Sequence, residues 1–186
     1  MKKIFIILLV ISLMLTGCSD VYERIVYDDV EEYDLIWDLP EKRIVDLKLF
    51  PKNIDDYNVT DFYCDYTVYF PVGTGYEVLL SVKFDENTYQ DEIRRISNLT
   101  EIKKVQYDTN NFILPAYVST IGYLSSNEYV LVDKENYTLH YLYLQLVDKE
   151  EMEINTDFLP KGYDYGNVEG YSFSIYDNSL EQQGYK

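Results

Sequence analysis

The stretch Phe62-Tyr63-Cys64-Asp65-Tyr66-Thr67-Val68-Tyr69-Phe70 decides the fold. Phe62, Cys64, Tyr66, Val68 and Phe70 fall on one side at a spacing of two, while Tyr63, Asp65, Thr67 and Tyr69 fall on the other. That is the period of a strand. Tyr76, Val78, Leu80, Val82 and Phe84 repeat it after the turn-rich Pro71–Gly75. A hairpin closing there is expected to set Phe70 opposite Tyr76, Val68 opposite Val78 and Phe62 opposite Phe84. Its outer face would pair Tyr69 with Glu77 and Tyr63 with Lys83. Both faces then agree under one register.

Outward from this hairpin, Asn87 to Leu99 reads as a helix. Asn87 would be the cap, with Gln90 completing a capping box. Tyr89, Ile93 and Ile96 form one narrow apolar stripe. Strands are expected at Ala116–Leu124, Glu128–Val132 and Tyr137–Val147. Ile102–Tyr107 and Tyr171–Tyr176 are further candidates. Strands, one helix, then more strands without alternating helices indicate an α+β fold. The sheet would be antiparallel, with one main helix packed on one face as a two-layer sandwich and the other face partly solvated.

Before the hairpin, residues 19–48 are acidic and weakly patterned. Asp28, Asp29, Glu31 and Glu32 sit among Tyr22, Tyr27, Tyr33 and Trp37. Residues 18–48 read as an acidic tether or N-terminal extension, with 49–186 as a single α+β domain. Ile25-Val26-Tyr27 and Leu35-Ile36-Trp37 could pair as short strands.

The N-terminus has Lys2-Lys3, an apolar run from Ile4 to Ile11, and then Leu15-Thr16-Gly17-Cys18. A charged start, a short apolar core and small residues at the cut describe a secretory signal rather than a spanning helix. Leu15–Cys18 resembles the lipobox of bacterial lipoproteins, and all four residues fit the pattern. The resemblance implies that residues 1–17 are a signal peptide and that Cys18 carries a diacylglyceryl group as the new N-terminus. It further implies attachment to the extracytoplasmic face of the cell membrane. Two acyl chains anchor stably where one does not.

Processing would leave 169 of the 186 residues, enough for one domain with its own core. Loss of Lys2 and Lys3 would take the net charge from −17 to −19. Such a chain repels nucleic acid and anionic headgroups, so neither is an expected partner of a basic patch. Cys64 would be the sole remaining thiol, which rules out an intramolecular disulfide and indicates a buried structural cysteine. The bias toward Lys, Ile, Asn, Asp and Tyr is that of AT-rich coding.

No segment carries a known catalytic motif, and no cofactor or metal is expected. His140 is the only histidine. It lies on an apolar strand side with Leu142 and Leu144, where a structural residue is the simpler reading. Asp65 and Glu77 fall on one face and invite a glycosidase reading. A charge-balanced solvated face, with Lys83 and Ser81 near Asp65, explains them more simply. Asp85-Glu86-Asn87 and Asp108–Asn111 supply oxygens but not calcium-loop spacing, so turn and cap roles fit better.

Tyrosine is the compositional outlier, at 21 residues against one tryptophan. Tyr63, Tyr69, Tyr141 and Tyr143 are expected on solvated strand faces. Tyrosine gives rigid contact area with a polar tip, which suits binding. The functional expectation is a non-enzymatic, lipid-anchored surface protein that binds a peptide, protein or wall glycan through these tyrosines. A carboxylate-dependent wall hydrolase and an accessory or immunity-type envelope lipoprotein are the alternatives.

The anchor is directly testable. Cys18→Ala is expected to leave the precursor uncut or release the protein from the membrane. Mass spectrometry of the mature N-terminus checks this, and an unmodified Cys18 would remove the lipoprotein reading.

Overall fold

The computed structural model describes residues 20–39, 47–70, 73–103, 105–120, 126–164 and 167–168. Within these, seven strands form one antiparallel sheet. They are β1 (Asp20–Tyr27), β2 (Asn58–Phe70), β3 (Gly73–Lys83), β4 (Val105–Asp108), β5 (Ala116–Thr120), β6 (Ser126–Asp133) and β7 (Thr138–Gln145). The spatial order is β1-β2-β3-β7-β6-β5-β4. The helix α1 (Glu86–Lys103) joins β3 to β4, and β8 (Tyr163–Asp164) pairs with β9 (Asn167–Val168) in a small separate ribbon. The α+β class, with a helix packed on an antiparallel sheet, is therefore as expected.

The β2–β3 hairpin keeps its faces but not its register. Val78 lies opposite Cys64 and Leu80 opposite Phe62, four residues from the expected partners. Alternation fixes which side a residue faces, and a shift of four preserves that side. Loop length sets the register, and the loop is shorter than the Pro71–Gly75 turn suggested. β2 runs to Phe70 and β3 resumes at Gly73, opposite Tyr69. Gly73 has φ +145°, and a Cβ there would meet Leu146 at 3.3 Å. Glycine is suited to this backbone conformation.

β3 is central, and every residue from Thr74 to Val82 is buried. One face of the sheet presents Phe62, Tyr66, Val78, Leu80, Val82, Val130 and Tyr141. Tyr89 and Ile96 of α1 cover it, together with Tyr33, Ile36, Leu49 and Phe50 from the chain before β2. The opposite face presents Leu79, Leu142, Leu144, Tyr129 and Leu131. It is covered by Phe112, Ile154 and Leu159 from irregular chain and by Tyr163 of β8. The expected solvated face is thus a second core, because the segments after β4 and β7 fold back over it.

The tether reading of residues 18–48 is corrected for the described part. β1 pairs with β2 from Asp20 opposite Phe70 to Tyr27 opposite Cys64. Val30–Asp38 then forms a 3-10 helix capped by Asp29, which buries Tyr33 and Ile36 completely. Leu35-Ile36-Trp37 is therefore helical rather than extended. Acids on the exposed side disguised a segment whose apolar side is core.

The helix extends beyond Leu99 to Lys103, so Ile102 and Lys103 belong to α1 and β4 is only four residues long. Asp85, not Asn87, caps it: its Oδ1 accepts from the backbone N–H of Asn87 at 2.9 Å and of Thr88 at 3.1 Å. The expected strand at 171–176, the Leu124 end of the 116–124 strand and Cys18 lie outside the described residues.

Leu80 is fully buried between the hairpin and α1. Leu80→Ala is expected to cost about 2–5 kcal/mol through lost transfer energy and the cavity left behind. Urea denaturation measures it, and a loss within error of zero would contradict this core assignment.

Candidate functional site

The four tyrosines proposed as a binding face do not form one. Tyr141 and Tyr143 are buried on the helix side of the sheet. Their hydroxyls stay inside, Tyr141 donating to Glu92 Oε1 at 2.5 Å and Tyr143 to Gln145 Oε1 at 2.7 Å. They were expected outside because the strand was assumed to have one wet face, whereas β7 is covered on both. Tyr63 is half-buried against the second core, its hydroxyl 3.4 Å from Asp65 Oδ2. Tyr69 pairs through its backbone with Val21 and Gly73, and its side chain is outside the described set.

Tyrosine instead builds the interior. Tyr33, Tyr76 and Tyr129 are among the largest fully buried side chains. Tyr33 donates to the Pro51 carbonyl, Tyr129 to the Phe158 carbonyl at 3.2 Å and Tyr163 to the Val147 carbonyl at 2.9 Å. Each ring fills apolar space while its hydroxyl satisfies a carbonyl of the covering chain.

Among the described residues a cleft of about 260 Å³ at the β1–β2–β3 side brings acids and a base together. It is lined by Arg24 of β1, Asp65 and Thr67 of β2, Gly75 and Glu77 of β3, and Val147, Glu151 and Glu153 of the chain after β7. Strand alternation puts Asp65 and Glu77 on the same face, and the register sets them directly opposite one another. Arg24 Nε donates to Asp65 Oδ2 at 2.8 Å, and Thr67 Oγ1 donates to Oδ1 at 2.7 Å. The charge balance expected from Lys83 comes from Arg24 instead, since Lys83 lies opposite Asn58 and Ser81 opposite Asp61. Arg24 was missed because its segment was read as outside the fold.

Glu77 is only 2% exposed. Its Oε1 accepts from the backbone N–H of Ile154 at 2.9 Å and of Glu153 at 3.1 Å. Burial pushes its carboxyl up to about 7, against the opposing pull of those two N–H groups. Glu128 does the same on the helix side of the sheet. Its Oε1 accepts from Leu49 N–H at 2.6 Å and Lys48 N–H at 2.7 Å, and burial pushes it up to about 7. A third buried acid, Glu92, is bridged twice by Arg95, whose Nη2 also donates to the Leu49 carbonyl at 2.5 Å.

His140 Nδ1 lies 2.8 Å from Ser81 Oγ, the distance of a nucleophile and its base. Ser81 is only 3% exposed, and the imidazole packs on Phe158 with ring centroids 4.5 Å apart. No substrate reaches a hydroxyl so covered, and burial lowers the imidazole's pKa. The pair is a polar tie within the second core. Cys64 is fully buried, with its thiol pushed up to about 12 by burial, as an unreactive structural cysteine requires. Asp108 spends its carboxylate on the backbone N–H groups of Asn110 and Asn111, an Asx turn. Among the described residues no three His, Cys, Asp or Glu side chains converge as metal ligands.

Comparison with protein-family models, with curated proteins and with solved structures finds no match to this chain.

Glu77 gives a pH signature. Its carboxyl is raised in the folded state, so its stabilising contribution is fully present below about pH 4.5 and is lost as pH rises through about 7. Glu77→Gln keeps an acceptor for both N–H groups and cannot ionise. At pH 8 it is expected to be more stable than the parent by about 1–3 kcal/mol, with the difference vanishing near pH 4. Thermal melts across this range check it, and an unchanged pH slope would refute the assignment.

Proposed function

We propose that the chain is a non-enzymatic, lipid-anchored protein of the extracytoplasmic membrane surface, which binds a cationic group of an envelope peptide or protein in the Arg24–Glu77 cleft. The observation that carries this reading is the composition of the cleft wall. Asp65, Glu77, Glu151 and Glu153 face one guanidinium, that of Arg24. Arg24 pairs with Asp65 at 2.5 Å, and carboxylates outnumber cations among the described residues of the cleft wall. A net charge of −17 attracts a basic partner over longer range. The cleft takes over the binding role first given to the tyrosines. The membrane would be held through the lipid on Cys18, and nucleic acid would be repelled.

The wall-hydrolase alternative draws support from one feature: two acids directly opposite one another on neighbouring strands, Asp65 bonded to Arg24 and Glu77 raised by burial. Against it, Glu77 Oε1 and both oxygens of Asp65 are occupied by structural donors. Such carboxylates are poor proton shuttles. The accessory or immunity-type reading would use the same cleft with a protein partner.

Calorimetry with a short Lys/Arg-rich peptide and its Asp/Glu-rich counterpart tests the reading. Only the basic peptide is expected to bind, with affinity falling as salt rises. The double variant Glu151→Gln, Glu153→Gln is expected to weaken it by roughly tenfold, which is about 1.4 kcal/mol. Equal binding of both peptides would refute the cationic-ligand reading. Release of soluble sugar from wall glycan, lost in Glu77→Gln, would establish the hydrolase instead.

A further inference from the structure

We infer that the domain docks end-on against its own membrane, with no spacer between lipid and fold, so that one end of the sheet sits at the lipid headgroups. This rests on the anchor reading above and adds to it a defined interaction surface.

Only Ser19 separates Cys18 from Asp20, the first residue of β1. Two residue steps span at most about 7 Å. The headgroup region on each side of a bilayer is itself about 5–8 Å deep. A thioether-linked lipid at Cys18 therefore holds the start of β1 within or just above the headgroups. β1 is not a flexible lead. It is paired along its length with β2, from Asp20 opposite Phe70 to Tyr27 opposite Cys64, so its position fixes that of the whole sheet.

The register names the end that is held. Asp20 lies opposite Phe70, Tyr69 opposite Gly73, Tyr76 opposite Gln145, and Gln145 opposite Ser126. The start of β3, the end of β7 and the start of β6 thus share the anchored end. The turn after β7, with exposed Lys149 and Glu150, also lies there. The other end carries Asp28 and Asp29 after β1, Asp85 and Glu86 after β3, and Glu135 in the β6–β7 turn, all exposed. Anionic headgroups repel that end, which favours strands standing away from the bilayer over a sheet lying on its β1 edge. The anchored end has acids of its own in Asp148, Glu150 and Glu151, so the lipid rather than charge attraction must hold it. Glu151 and Gly75 place one wall of the cleft at this same end.

The full chain, lipidated in a bacterial host and reconstituted in phosphatidylethanolamine/phosphatidylglycerol vesicles, provides the test. A thiol-linked fluorophore is placed at Lys149→Cys or Lys134→Cys, both exposed. Cys64 is buried and its thiol is pushed up to about 12, so labelling is selective. β7, whose two ends the positions flank, is roughly 24 Å long. A headgroup-attached spin label is expected to quench the Lys149→Cys probe several times more strongly than the Lys134→Cys probe. Inserting twenty Gly/Ser residues between Ser19 and Asp20 is expected to abolish that difference. Equal quenching in the lipidated parent, or stronger quenching at Lys134→Cys, overturns the docking while leaving the anchor intact. An unmodified Cys18 by mass spectrometry overturns both.

Discussion

Two buried glutamates hold the covering layers to the sheet, and the rest of the structure depends on that arrangement. β3 is buried on both faces from Thr74 to Val82, so each face must be roofed. One helix with a narrow stripe, Tyr89 and Ile96 backed by Ile93, roofs only part of one. The remaining cover is the 3-10 helix Val30–Asp38, β8 and irregular chain, and irregular chain brings backbone N–H groups that have no ladder to enter. Glu77 accepts two consecutive N–H groups on one face and Glu128 two on the other. A single carboxylate oxygen aimed at two adjacent amides does in the interior what a cap does at a helix end.

That solution has a cost which the acid side chains carry openly. Burial drives both carboxyls up to about 7, near the range where their charge is decided. Ser119 lies directly opposite Glu128, and its hydroxyl is the side-chain donor that eases the burial of that carboxylate. Glu92 is treated differently. Arg95 bridges it in an ion pair and Tyr141 donates to it, so side chains rather than backbone amides hold this acid. The chain thus uses acids as structural connectors, and part of its acidity is architecture rather than partner recognition.

Tyrosine has the same double use. Its ring adds area to two cores, while its hydroxyl reaches the polar chain above them, as Tyr33, Tyr129 and Tyr163 do. A sheet roofed by loops offers many carbonyls at the edge of apolar space, and leucine could not satisfy them. Eight of the described tyrosines are buried, while Tyr107 stands exposed. A cleft stays open where β1, β2, β3 and the chain after β7 meet.

The amino-acid order by itself determined the strand alternation of Phe62–Phe70 and Tyr76–Phe84, the helix stripe at Tyr89, Ile93 and Ile96, and hence the α+β class, because these depend on periods of two and about 3.6 along the chain. It also placed Asp65 and Glu77 on one face, since a register shift of four leaves parity unchanged. Only the tertiary structure decided the register itself, because turn length and not alternation sets it. It alone decided that β7 is wet on neither side, which moved Tyr141 and Tyr143 inward. It alone brought Arg24 to Asp65 across 41 residues of sequence. Local pattern shows which side of a strand is apolar. Whether the other side meets water or distant chain depends on where segments with no pattern of their own come to rest.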